Sequence, residues 1–280
     1  MDSNIGNNTK IKCIKKHIPD TAIIGDNVNI ECEELVLGEF TKIGNNVNIK
    51  CRKFIADDWL YMCEGVEIGR GGCTGPKSNI FIGKNVGIFE NTIINPSDTV
   101  KIGDNVGIGA EVMIWTHGAW LDITKGFPSD FGPVEIGNNV WLPARSIVLP
   151  NVSIGDDCVI GINSIVNKDI PSGSLAAGSP CKVIKYNHYP KEINSKELLT
   201  MVNSILGDWV TIILAKIDLD EMSVVYDNNI ITLKQKDGET QFDVIEKTMK
   251  GFDNDVSQDL RDYLRRRGIK IYTDKLFKSI

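Results

Sequence analysis

Five residues, Ile-Gly-x-Asn-Val, recur along this chain at Ile24–Val28, Ile43–Val47, Ile82–Val86, Ile102–Val106 and Ile136–Val140, with a degenerate sixth copy at Ile154–Cys158. Successive starts lie 19, 39, 20, 34 and 18 residues apart, so most intervals are one or two multiples of a unit near 18 to 20. Self-similarity at a fixed period points to a stacked repeat, in which each unit buries its apolar face against its neighbours. Within the copies, apolar residues return every six positions: Ile24, Ile30, Val36, and again Ile136, Leu142, Val148, Ile154, Ile160, Val166. That period suits neither an α-helix nor an alternating strand. It suits three short strands per coil, each followed by a corner, with the apolar residue pointing inward. The Gly and Asn of the phrase are expected where the backbone takes conformations costly for other residues. Residues 5–185 therefore predict a mainly β chain wound as a parallel β-helix.

Bulk properties narrow the function classes. A net charge of −6 argues against a general nucleic-acid binder. No run of 18 apolar residues suggests a membrane span, and Met1–Gly6 lacks the basic-then-apolar pattern of a secretory signal. Seven cysteines without a Cys-x-x-Cys pair form neither a disulfide framework nor a usual zinc motif, so a cytoplasmic protein without a metal is expected. Cys13, Cys32 and Cys51 are 19 residues apart and should stack as free buried thiols on successive coils.

After Tyr186 the rhythm stops, giving a β-helix domain over 1–188 and an α+β accessory domain over 189–280. Ser195 can cap a helix to about Ala215 carrying Leu198, Val202, Ile205, Val210 and Ile213. Strands are expected around Val224–Tyr226 and Ile230–Gln235, flanking an Asp227-Asn228-Asn229 turn, with another turn at Asp237-Gly238. Asp255 can cap a last helix closed by Gly268, before a short strand over 269–273.

The 34-residue interval equals one coil plus an excursion, and it holds the only histidine within the repeats, His117; His17 and His188 lie outside the full coils. Long loops on a rigid scaffold commonly carry function. Histidine is a natural general base, because an unperturbed imidazole titrates near pH 6.5. Asn95 and Asp98, about one coil earlier, should lie beneath it. Either can orient the imidazole or bind an acceptor hydroxyl, and a plain turn role suits an Asn-Pro-Ser-Asp segment equally. Trp115 and Trp120 flank the histidine and can stack on sugar faces or pack on a neighbouring subunit.

The phrase, the run Ile136–Arg145, the run Ile154–Val166 and the closing segment Asn167–Lys185 resemble the hexapeptide-repeat acyltransferases. The pairing of His117 with Trp141, 24 residues later, is similar to the bacterial sugar and polysialic-acid O-acetyltransferases within that family. The resemblance implies a left-handed β-helix, a homotrimer with active sites between subunits, and acetyl-CoA as cosubstrate. It implies direct acetyl transfer to a carbohydrate hydroxyl with His117 as base. Trp141 would line the thioester channel, although an interface role is open to it. Ala144, Gly161 and Ser164 would flank the pantetheine arm. Lys168, Lys182 and Lys185, with Ser179, would meet the nucleotide end.

Two alternatives compete. N-acetylation of a nucleotide-linked amino sugar usually comes with an N-terminal nucleotide-binding unit, and here the first coil begins almost at once. A non-catalytic scaffold would have no use for His117 or the closing segment. Zinc chemistry on three histidines fails, since the repeats hold one.

Overall fold

The computed structural model describes residues 4–69, 71, 73, 75–214 and 222–277. The chain divides into two compact units, 1–191 and 192–280. The first is a left-handed parallel β-helix. Its first face stacks Ile23–Ile24, Lys42–Ile43, Tyr61–Met62, Gly87–Ile88, Gly107–Ile108, Trp141–Leu142, Val159–Ile160 and Leu175–Ala177. The second runs from the first half of Asn29–Leu37 through Asn48–Lys50, Glu67–Ile68, Ile93–Asn95, Met113–Trp115 and Ile147–Val148 to Ile165–Val166. The third runs from the second half of Asn29–Leu37 through Lys53–Ala56, Asn79–Ile82, Val100–Ile102 and Val134–Ile136 to Ser153–Ile154. Each coil buries about one aliphatic residue per face; Ile136, Leu142, Val148, Ile154, Ile160 and Val166 are all at most 3% exposed. Such side chains contribute roughly 1.5–3 kcal/mol apiece on burial.

The corner chemistry divides differently from the sequence expectation. The asparagines carry the strained backbone: Asn27, Asn46, Asn85, Asn105 and Asn139 have φ of 56–61°, and Asp157 takes the same place in the sixth copy. The phrase's glycines do not adopt positive φ. A Cβ on Gly137 would instead sit 2.4 Å from Asp156 Oδ1 and 2.9 Å from the Gly155 backbone, so glycine there permits close stacking of successive corners. Val36 is also corrected. It is half-buried, and Leu35 and Leu37 point inward beside it, because Asn29–Leu37 bends round a corner as one strand.

The 39-residue interval is not two plain coils. Ile43 ends a first-face strand, whereas Ile82 ends a third-face strand. The difference is filled by a second excursion, 69–78, at the corner between the second and third faces. The His117 excursion, 116–133, leaves that same corner.

The second unit carries helix α1 (Ser195–Leu214), an antiparallel sheet of Ser223–Asp227, Ile230–Gln235, Gly238–Asp243 and Thr248–Gly251, and helix α2 (Asp255–Arg266). Ala215, the expected end of α1, lies outside the described residues. Its core gathers Trp209, Ile231, Phe242 and Leu260, all fully buried. Asn228 and Asn229 both have positive φ, which suits the tight hairpin of their turn. Asn254 rather than Asp255 caps α2, because its side chain accepts from the Val256 and Ser257 amides. Residues 269–273 form no strand.

Candidate active site

His117 opens the short strand His117–Ala119, which pairs antiparallel with Ser129–Phe131 to make a hairpin out of the excursion. Phe131 is its direct cross-strand partner and stacks on the imidazole, with ring centroids 5.6 Å apart. Trp115 meets the imidazole edge-on at 6.0 Å. The ring thus contacts two aromatics and stays half-buried.

Its protonation follows from a chain of donors and acceptors. Nδ1 lies 3.0 Å from Asn95 Oδ1 and 3.2 Å from Ser97 Oγ. Asn95 is fully buried at the end of Ile93–Asn95, and its Nδ2 donates to the Gly69 carbonyl at 2.9 Å and the Gly71 carbonyl at 3.4 Å. Those two carbonyls fix the amide with its oxygen toward the histidine. Oδ1 can only accept, so in the neutral ring Nδ1 carries the proton and Nε2 keeps its lone pair. Gly69 and Gly71 have φ of +132° and +53°, conformations open mainly to glycine, and their carbonyls are the ones that reach Asn95.

Asp98 has other partners. Its carboxylate accepts from the Thr99 amide at 2.6 Å and pairs with Lys77 at 3.2 Å, tying the shorter excursion to this coil. Thr116 Oγ1 donates to the Asn95 carbonyl and accepts from the Asp98 amide, which fixes the exit of the histidine loop. Of the residues nominated beneath His117, the structure brings Asn95 to the ring and leaves Asp98 bracing the scaffold. Ser97 and Phe131 escaped the sequence reading. Ser97 lay inside the nominated Asn95–Asp98 segment, whereas Phe131 carries no sequence signal, since hairpin register places it.

Trp141 projects from the first face, 41% exposed, and folds back over Gly107 of the preceding coil. A Cβ on Gly107 would fall 2.5 Å from the indole, so that glycine makes room for the ring. Phe89 meets Trp141 edge-on at 6.4 Å. Ala144 and Gly161 follow at the corner between the first and second faces. Ser164 is fully buried there, donating to the Gly161 carbonyl and accepting from the Gly178 amide, so its hydroxyl is spent on the corner. Ser179, Lys182 and Lys185 are exposed around the closing turn and the antiparallel strand Lys182–Lys185. Lys168 is exposed at the corner from which the His117 loop departs, further along the stack. Trp120, at 94% exposure, occupies the hairpin's outer part. Among the described residues no cluster of three or more His, Cys, Asp or Glu could hold a metal, and no helix is long and apolar enough to cross a membrane.

Comparison with known proteins gives a consistent family. Residues 133–168 match the model described as bacterial transferase hexapeptide (six repeats), covering the coils that follow the His117 loop. Over 122 residues the chain is 42% identical to galactoside O-acetyltransferase of Escherichia coli K12, covering 43% of this chain and 57% of that protein. A putative acetyltransferase of Saccharomyces cerevisiae is 42% identical over 110 residues, 39% of this chain and 56% of its own length. The chain thus spans little more than half of these relatives. Among solved structures, a galactoside acetyltransferase in complex with coenzyme A aligns at 33% identity over 50% of this chain and 72% of its own, with a TM-score of 0.42.

Proposed function

We propose that this chain, which belongs to the bacterial hexapeptide-repeat transferases, is an acetyl-CoA-dependent O-acetyltransferase acting on a carbohydrate hydroxyl. The observation that carries the reading is the Asn95–His117 pair. A buried amide, tied to two backbone carbonyls, holds the proton on Nδ1 and presents Nε2 as base. In the reaction, Nε2 takes the acceptor's hydroxyl proton as that oxygen attacks the acetyl carbonyl. The C–S bond of the thioester then breaks, and the imidazolium returns its proton to the leaving thiolate. The products are the sugar ester and free coenzyme A.

The remaining residues suit binding roles. Trp141, laid over Gly107, offers an aromatic wall to the pantetheine arm, with Ala144 and Gly161 supplying small side chains next to it. Lys168, Lys182 and Lys185 are exposed cations suited to phosphates, and Ser179 an exposed hydroxyl beside them. Ser164 contributes by shaping its corner. Trp115 and Trp120 border the acceptor side. Within one chain, His117 leaves the corner between the second and third faces, while Trp141 and Ala144 belong to the first face and its following corner. That separation favours a homotrimer whose active sites lie between subunits, each drawing its base from one copy and its coenzyme wall from the next.

The test is transfer itself. Purified protein with acetyl-CoA and a panel of glycans should release free thiol only with an accepting sugar. His117→Ala should lower kcat by about 10²–10⁴-fold, the usual contribution of a positioned base. Wild-type turnover in that variant would refute the assignment.

A further inference from the structure

Away from the histidine, the chain carries a column of thiols. Cys13 and Cys32 are direct partners in the parallel register of Lys10–His17 on Asn29–Leu37, and their sulfurs lie 3.2 Å apart. Neighbouring strands run about 4.8 Å apart, inside the Cα window of a disulfide, and a bond near 2.05 Å requires the sulfurs to close by about 1.2 Å. Cys51, next in the column, is directed elsewhere, its Sγ donating to the Lys53 carbonyl at 3.3 Å. Cys13 is half-buried, while Cys32 is 8% exposed, so a reagent in solution meets Cys13 first. Lys10–His17 is also an outermost strand among the described residues, pairing on one side only, with Ile14 82% exposed. Such a strand opens more readily than those stacked on both sides.

We infer that Cys13 and Cys32 form a dithiol site which a small-molecule disulfide, such as glutathione disulfide, converts into a cross-coil disulfide that staples the end strand to its neighbour. The thiolate of Cys13 attacks one sulfur of glutathione disulfide, forming a mixed disulfide and releasing one glutathione thiolate. Cys32 then gives up its proton to solvent and attacks the Cys13 sulfur, releasing the second glutathione. Two protein thiols are oxidised, and one glutathione disulfide is reduced to two glutathiones. Burial, with Cys13 beside it, pushes the Cys32 thiol up, which suits Cys32 to the second, intramolecular attack rather than the first.

The site is independent of the acetyl-transfer reading and is tested separately. The full chain is incubated with glutathione disulfide, quenched by alkylation, and analysed by peptide mass spectrometry and amide hydrogen exchange. A Cys13–Cys32 cross-link, two glutathiones released per chain, and slower exchange across residues 10–17 are expected. Cys51→Ser should behave as wild type, and Cys13→Ser should form no intramolecular disulfide. A glutathione adduct that persists on Cys13, or loss of the cross-link in Cys51→Ser, would overturn the pairing. Unchanged exchange despite the cross-link would overturn the staple.

Discussion

Asn95 serves several partners with one small side chain. It accepts from His117 and from the Ser97 amide at 3.1 Å, and donates to the Gly69 and Gly71 carbonyls. Asn95→Asp keeps an acceptor toward the histidine but sets a carboxylate oxygen against two carbonyls, in a site with no solvent exposure. A buried donor exchanged for an acceptor costs about 1–3 kcal/mol, more when charged. Asn95→Asp should therefore lower Tm as well as kcat, whereas Ser97→Ala, which keeps the Asn95–His117 bond, should lower kcat by a smaller factor at nearly unchanged Tm. Thermal melts and steady-state rates on both variants check this. Cys51 makes a second residue-scale case, because burial first, and then the Cys73 thiol, push it up to about 12. At pH 8 its thiolate fraction is then about 10⁻⁴, so alkylation of native protein should spare Cys51, and denaturation should expose all seven thiols. Rapid native labelling of Cys51 would contradict it. His117 and Asn95 were legible because stacking turns sequence spacing into contact. Ser97 and Phe131 were not, because a hydroxyl's choice of partner and a hairpin's register are settled by tertiary geometry.

At the scale of the element, the corner is the unit that the repeat phrase encodes. Asn139 sits at φ 56°, accepts from Asn105 Nδ2 and donates to Asp157 Oδ1, both at 2.9 Å, so it joins three successive corners. An L-residue without such a polar side chain pays roughly 1–2 kcal/mol for this conformation. Asn139→Ala should thus destabilise the β-helix by about that much plus the lost side-chain ladder, while Asn139→Gly relieves the backbone and loses only the ladder. Urea unfolding of the two variants separates the contributions, and equal losses would assign the whole effect to the ladder. The phrase showed that corners exist but not which corner each copy occupies. Copies at Ile24 and Ile43 leave the first face, whereas those at Ile82, Ile102 and Ile136 leave the third. That change of phase hid the 69–78 excursion inside an interval of 39, since a shortened coil and an insertion summed to nearly two periods.

Over the whole molecule, the two units represent different degrees of legibility and different kinds of stability. The β-helix announced itself because each coil repeats its neighbour's solution, and its core is one continuous aliphatic column. The second unit has no repeat to read. Helix α1 was visible in its apolar spacing, but its most buried side chain, Trp209, lay off the expected stripe, and the fourth strand, Thr248–Gly251, carries too few apolar residues to signal itself. The two cores share no residue. A solenoid gathers its stability from neighbouring coils, whereas a small α+β core unfolds as one cooperative body. Phe242 is fully buried in the second core, and truncating such a ring costs about 3–5 kcal/mol. In calorimetry, Phe242→Ala should therefore shift the transition belonging to residues 192–280 to markedly lower temperature and leave the β-helix transition in place. If both transitions moved together, the units would be one cooperative body, and the accessory unit would have to be counted as part of the scaffold that holds His117.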